Sequence, residues 1–490
     1  MEDPTLKEGR VTSDGVSIAS RGSVSSLVQM KRTISLISGV AINVGIMIGS
    51  GIFISPKGVL AGANSVGLTL IIWSVCGIFS LLGALSFAEL GLTFPSSGAV
   101  YSYLKCIFGD FVAFLYLWVT VLVAVPAFFA IVALTFGDYC IQPFFPDPAC
   151  QPPRIAVNLI GTICLLLLGL TNAIGTRLST RIQKFFTLCK VAALAIIIIT
   201  GMVQIGKGET QNFENAFEGS TFSGLGIALY SGLFSYTGWE SLNFVSEELK
   251  NPTRNLPRAI AISVCSVTVL YILTNMAYFT AMTPQELMAS NTVVVMFGNK
   301  LLGRFAVIMP VFVALSTFGS INGSIIVYSR VYYVGSREKQ LPSLLSMIHV
   351  KHLTPLPSIA LMVLLSVCFT YSQDINSLIN YFSFAVWTPI GAAVAGMVWL
   401  RWRDPDRARP YKVHIIIPII FVIAAIFLVV MATIDAPLDT AIGVCITLTG
   451  VPVYFLFVHP KHLPRRLSRL EGTITRWFQK ALLVIEEEKD

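Results

Sequence analysis

Uncharged apolar stretches of about helix-spanning length recur along the chain, separated by short polar segments rich in Lys and Arg. A bilayer core needs about 20 apolar residues when crossed as a helix. Runs such as 159–170, and 191–200 with its consecutive isoleucines, supply them. Twelve spans are predicted, at 34–55, 67–90, 110–136, 155–175, 183–205, 224–246, 259–281, 303–328, 356–372, 379–400, 413–433 and 439–458. The chain therefore reads as an all-α polytopic membrane protein with a polar, Ser-rich, disordered N-tail at 1–32, a helical domain at 33–458 and a C-tail at 459–490. The first apolar span is too long and begins too far in to be the core of a cleavable signal peptide.

An even number of spans puts both termini on one side, and Lys and Arg choose which. The N-tail carries Lys31 and Arg32, and the loops on its side carry clusters such as Arg177, Arg181 and Lys184, or Arg401, Arg403, Arg407, Arg409 and Lys412. The C-tail adds Lys461, Arg465, Arg466, Arg469, Arg476 and Lys480. The opposite loops offer little more than Lys57, Arg154, Lys207 and Lys300, so both termini are expected in the cytosol.

Composition agrees with this pattern. Charged residues make up 12% of the chain, about half the usual share of a soluble domain, and mean hydropathy is +0.75. A net charge of +8 would suggest nucleic acid in a soluble protein, but here the basic residues lie between apolar spans. The nine cysteines are scattered without a CxxC pair. Cys76, Cys164, Cys189, Cys265, Cys368 and Cys445 lie inside spans and read as packing residues, and Cys140 and Cys150 flank a Pro-rich loop. No P-loop, HExxH motif, nucleophile elbow or metal-spaced Cys/His cluster is present, which argues against an enzyme, an ATP-driven pump on this chain, or a metal or other cofactor. A channel would call for rings of charge or a filter loop, and neither is visible.

Two spans are interrupted by small, helix-weakening residues. The first contains Gly49-Ser50-Gly51-Ile52-Phe53 and the sixth Tyr230-Ser231-Gly232-Leu233-Phe234 followed by Ser235-Tyr236-Thr237-Gly238. Small residues also let helices pack closely, but glycine-interrupted spans at matched positions of two halves point to a transporter binding site. With five spans in each half, at about 34–205 and 224–400, the repeats are expected to be inverted. Unwound backbone must find new partners. A half-helix N-terminus suits a carboxylate, and freed carbonyls suit an ammonium, so a zwitterionic amino acid matches both. Ionisable groups inside spans default to function. Lys190 lies too deep to snorkel, and its ammonium can stand in for a coupling cation. Glu240 either contacts substrate or braces a neighbouring helix, and Glu89, at the end of the second span, reads as a structural acid facing the cytosol.

These motifs resemble the light chains of heteromeric amino acid transporters, the L-type branch of the amino acid–polyamine–organocation superfamily. Ile48-Gly49-Ser50-Gly51-Ile52-Phe53-Ile54-Ser55-Pro56-Lys57-Gly58 looks like the family's first-helix signature, and Gly232-Leu233-Phe234-Ser235-Tyr236-Thr237-Gly238-Trp239 its sixth-helix substrate segment. Glu247-Glu248-Leu249-Lys250-Asn251-Pro252 and Val334-Gly335-Ser336-Arg337-Glu338 resemble its cytosolic loops. The resemblance implies a LeuT-like 5+5 inverted repeat with helices one and six unwound, plus two extra C-terminal helices, and obligatory exchange of amino acids at the plasma membrane. Ile48, Gly49, Ser50 and Gly51 then lie at the carboxylate end of the substrate site. Phe234, as a gate, with Ser235, Thr237 and Glu240 lies at the amino-group and side-chain end, and Lys190 takes the place of an ion.

The resemblance also implies a single-span glycoprotein heavy chain, disulfide-linked through Cys150 in the loop Gln142-Pro143-Phe144-Phe145-Pro146-Asp147-Pro148-Ala149-Cys150. The alternatives are an internal pair with Cys140 or a free thiol. No usable N-glycosylation site is present, since Asn322-Gly323-Ser324 falls inside a span and Asn251-Pro252-Thr253 is blocked by proline. Val125, before Pro126, stands where the cystine/glutamate exchanger has Arg and the y+L light chains have Glu; Glu240 stands where y+L members have Asp and many neutral-selective members Asn. The leading expectation is sodium-independent exchange of neutral L-amino acids. A cationic/neutral exchanger is the alternative within transport, and an amino acid sensor the alternative outside it.

Overall fold

The computed structural model describes residues 35–94, 98–145, 152–290, 292–371, 375–460 and 465–486. Cys150 and the N-tail lie outside the described residues.

Helix α1 (Leu36–Met47) starts where the Ser35 side chain accepts a hydrogen bond from Ser38 N, one of the orphan donors of a first turn. It breaks, and α2 (Gly51–Ala63) continues at a 53° bend. Ser65 caps α3 (Val66–Thr93) in the same way. A short helix, α4 (Val100–Phe108), precedes α5 (Asp110–Val119), which joins α6 (Val125–Ile141) through a π-helical turn at Thr120–Ala124. The turn sits against Pro126, which has no N–H to donate back along the helix. Then follow α7 (Arg154–Ile174), α8 (Thr176–Gly206) and the short α9 (Leu225–Ser235). Next come α10 (Pro252–Ala281), two small helices outside the spans, α11 (Pro284–Ala289) and α12 (Val293–Leu301), and α13 (Ile308–Arg337). The last spans are α14 (Leu356–Thr370), α15 (Ile375–Arg403), α16 (Ile416–Asp435) and α17 (Pro437–Val453).

The predicted spans fall on helices, the sixth only in part: 225–235 is helix α9 and 236–240 is not. Among the described residues nine helices are long and apolar enough to cross a bilayer, and the bent pair α1–α2 makes ten; α9 and α14 are apolar but shorter. Ile416, Ile420, Ile423, Phe427, Val430 and Ile434 of α16 are exposed along one face, an apolar surface that a soluble protein would not leave open. The molecule is a helical, multi-pass membrane protein.

Packing differs from the sequence reading in two respects. Cys76, Cys164 and Cys189 are buried, but Cys265, Cys368 and Cys445 are exposed on the outer surface rather than packed inside; an apolar run does not say which face of a helix looks inward. Glu89 does not face the cytosol. It is 1% exposed and ion-paired to Arg401, whose Nε donates to it at 2.9 Å, and it accepts from Val413 N at 2.9 Å. The C-tail, for its part, is ordered over α18 (Arg465–Leu482) and a strand, β2 (Val484–Glu486), that pairs antiparallel with β1 (Met347–His349) in the loop after α13.

Asn322 is buried within α13. It accepts from Ser179 Oγ at 2.8 Å and Asn172 Nδ2 at 3.0 Å and donates to Ser179 O at 3.0 Å, which ties α7, α8 and α13 together. A sequon in that position is out of reach of glycosylation.

Candidate functional site

The site grows out of two breaks. Gly49, Ser50 and Gly51 weaken the first span where α1 ends, because glycine loses more freedom on entering a helix than any other residue. The hydrogen-bond ladder resumes only at Phe53 N and Ile54 N, both donating to Ser50 O. The first N–H groups of α2 therefore face the break without helical acceptors. In the sixth predicted span α9 stops at Ser235, the chain turns through Tyr236–Glu240, and a 3-10 turn follows at Ser241–Glu248. Gly238 has φ +106°, and a Cβ there would lie 2.7 Å from Ile46 Cγ2, so both backbone and space require glycine.

Close packing brings the breaks together. A Cβ on Gly51 would run into Ser235 Cα, and on Gly58 it would lie 2.5 Å from Ser231 Oγ. Small residues thus serve both readings available from sequence, the unwinding and the tight contact of α2 on α9. The Tyr271 hydroxyl from α10 lies 2.8 Å from Met47 O and 2.9 Å from Ser235 O, one carbonyl from each broken helix. With a single proton it donates to one at a time.

Between the breaks lies a cavity. Gly49, Ser50, Gly51, Phe234, Ser235, Thr237 and Glu240 all line it. Ile48 does not: its side chain is fully buried in the core, since at an unwound position the side chain and the backbone point different ways. Ser235 Oγ is buried without a hydrogen-bond partner, an open valence at the cavity wall.

Lys190 sits behind this wall with no exposure. Its Nζ donates to Gly45 O at 3.0 Å and Ser320 Oγ at 2.8 Å. The ammonium thereby bridges α8, the last turns of α1 and α13. A cation coordinated by carbonyl and hydroxyl oxygens is the arrangement a bound ion would make.

Beyond Phe234 a second cavity is lined by Tyr116, Thr120, Val125, Phe244, Tyr328 and Phe382 among others. Glu240 borders both cavities. Phe234, Phe128 and Phe382 stand between them, with ring centroids 5.5 Å apart for Phe234–Phe382, 5.7 Å for Phe128–Phe382 and 6.2 Å for Phe128–Phe234. The Glu240 carboxylate accepts from Gly238 N at 3.2 Å and makes no ion pair with any described residue. It is the one charged side chain among the residues lining either cavity.

Sequence reading missed Tyr271, Phe128, Ser320, Ser324 and Tyr328. The last three recur every four residues along α13, a stripe of polar handles on an apolar span that periodicity makes visible. Tyr271 and Phe128 carry no such signal. Cys140, at the end of α6, pairs with no cysteine among the described residues. Among the described residues no group of His, Cys, Asp and Glu could hold a metal.

The sequence profile of the family described as amino acid permease matches residues 34–457. The chain is 47% identical to the cystine/glutamate transporter of Homo sapiens over 463 residues, covering 94% of this chain and 92% of the relative. It is 48% identical to the large neutral amino acids transporter small subunit 2 of Homo sapiens over 472 residues, covering 95% and 88%. To the Asc-type amino acid transporter 1 of Homo sapiens it is 44% identical over 466 residues, covering 94% and 89%.

Proposed function

The chain belongs to the amino acid permease family, and from that premise we propose that it is a sodium-independent antiporter exchanging neutral L-amino acids across the plasma membrane as the light chain of a heterodimer. One observation carries this reading: a single cavity is faced at once by the N-terminal N–H groups of α2 and by the carbonyl ends of α1 and α9. The α2 end attracts a carboxylate, and the carbonyls and the Ser235 hydroxyl attract an ammonium. Ser50 and Gly51 hold the substrate carboxylate in this reading. Ser235 and Thr237 line the amino-group side, and Phe234 gates the way to the side-chain cavity. The buried Lys190 ammonium replaces a coupling ion, which makes transport independent of sodium.

The scaffold in this proposal is twelve spans, with inverted repeats of five at about 34–205 and 224–400 and two further helices, α16 and α17. The termini, 1–32 and 459–490, lie in the cytosol. Counterflow tests the function. Uptake of a labelled neutral amino acid into proteoliposomes is expected to rise strongly when the vesicles are preloaded with another and to be unchanged when sodium is replaced. Equal uptake into empty and loaded vesicles would sink the exchanger; binding without uptake would make the protein a sensor.

Glu240 supports a second reading, a cationic/neutral exchanger, because it is the charge the cavities present and no described basic group pairs with it. Anionic substrates are disfavoured, since Val125 brings no positive charge to the side-chain cavity. Coulomb attraction between unit charges about 4 Å apart is roughly 4 kcal/mol at an effective dielectric of about 20, most of it offset by desolvation. On this reading Glu240→Asn raises the KM for Lys and Arg by roughly tenfold and spares Leu. On the neutral reading the wild type is not competed by Lys or Arg at all, and the substitution lowers transport of every substrate together. Competition assays with a labelled neutral substrate separate the two.

The heavy-chain partner belongs to the same proposal. Two of the relatives are not named as subunits, but one is a small subunit by name. Non-reducing gels of cell membranes are expected to show a heavier band that collapses on reduction and is lost in Cys150→Ser. A band that survives Cys150→Ser and vanishes in Cys140→Ser would move the link.

A further inference from the structure

Helix α18 has two sides of opposite chemistry. At 100° per residue, Ile474, Trp477, Phe478 and Ala481 fall on one side, and Arg476 and Lys480 share another. The protein covers only part of the apolar side. Phe478 and Leu482 are half-buried, whereas Ile474 is 53% and Trp477 65% exposed. Lys480, about 60° round the helix from Trp477, and Arg476, about 100° from it, are exposed as well.

Residues 483–486, after the helix, are tied to the protein. Met347, Ile348 and His349 pair with Glu486, Ile485 and Val484, Val350 N donates to Leu483 O at 3.0 Å, and Val484 is buried. At the other end Glu471, the one acid between residues 461 and 482, accepts from Ser343 Oγ at 3.2 Å. The exposed edge is therefore held in one orientation, and the acid is turned to the protein.

We propose that α18 lies in the membrane interface and binds acidic phospholipid headgroups of the cytosolic leaflet, with Ile474 and Trp477 inserted at the acyl boundary and Arg476 and Lys480 on the headgroups. Two features choose this occupant. The last membrane helix continues through a π-helical turn to Val458, and α18 begins at Arg465, so the link reaches at most about 25 Å at roughly 3.5 Å per residue. The start of the helix therefore stays within about that distance of the last membrane helix. A basic edge beside exposed Trp and Ile matches an anionic interface, where each Lys or Arg adds attraction and a tryptophan ring settles at headgroup depth. Because α18 is pinned to the loop between α13 and α14, lipid binding reaches a segment attached to the helix that carries Ser320, Ser324 and Tyr328.

The test uses the full chain in nanodiscs of phosphatidylcholine, with or without phosphatidylserine as a minor component. A photoreactive benzoylphenylalanine replaces Trp477, and in a second preparation Ile474. Irradiation is expected to give lipid adducts by mass spectrometry at both positions, with phosphatidylserine enriched over its share of the bilayer by at least about threefold. Arg476→Gln with Lys480→Gln, or raised salt, is expected to remove the enrichment while leaving adducts and melting temperature unchanged. Cross-links to protein in place of lipid at both positions overturn the proposal, as do lipid adducts indifferent to phosphatidylserine. The readout does not depend on transport, so it stands or falls apart from the exchanger assignment.

Discussion

Replacing Lys190 with Met is expected to lower amino acid exchange by about tenfold to a hundredfold while leaving the protein folded. The ammonium is fully buried and ties Gly45 O and Ser320 Oγ, so its loss frees the last turns of α1 from α13. That connection sets where Gly49, Ser50 and Gly51 meet the cavity. Displacements of about 1 Å at a binding centre cost on the order of a hundredfold in turnover. Folding should not suffer in step, because a buried charge carries a desolvation cost that an apolar side chain of similar length lacks. The melting temperature in detergent is therefore expected to stay level or rise as counterflow falls. Normal exchange by Lys190→Met would show that the ammonium only packs. Loss of both melting temperature and exchange would make it a structural brace rather than a substitute for an ion.

Arg401→Met should have the opposite signature, a fall in stability of about 3–5 kcal/mol, the usual cost of stranding one member of a buried ion pair. The Glu89 side chain is 1% exposed and that of Arg401 8%. Without the guanidinium, the carboxylate keeps only the hydrogen bond from Val413 N, and Val413 O loses the donor it has in Arg401 Nη2 at 2.8 Å. Three segments come apart at once: the end of α3, the end of α15 and the lead into α16. Removing the acid as well, in Glu89→Gln with Arg401→Met, is expected to recover most of the loss, since the stranded charge is gone. Thermal unfolding of the four proteins of that cycle measures the coupling directly. Additive losses, with no recovery in the double variant, would refute the pairing as a source of stability.

Much of this molecule could be read along the chain. The bilayer thickness imposes a length on apolar runs, and the absence of water there forces each run to satisfy its backbone as a helix. Span positions follow from those two constraints, and the predicted spans fall on helices, the sixth only over 225–235. The breaks were legible for a related reason: Gly49, Ser50 and Gly51, and Ser235 with Gly238, are residues a helix tolerates poorly, placed where an uninterrupted span would be more stable. Lys190 and Glu240 stood out because charge inside an apolar run has to have a partner or a purpose.

What the sequence left open was which face each helix turns inward and what lies across from it. Cys265, Cys368 and Cys445 sit in runs as apolar as those of Cys76 and Cys164, and only packing separates the exposed from the buried. The partners of Lys190 are 145 and 130 residues away in the chain, and the partner of Glu89 is 312 away; local pattern carries no trace of such distances. Tyr271 looks like any aromatic in a span until two broken helices converge on its hydroxyl. The chain by itself determined where its apolar helices would lie and where two of the runs would break. The tertiary structure alone decided which groups meet at the breaks, because a helix in lipid fixes its own hydrogen bonds but not its neighbours.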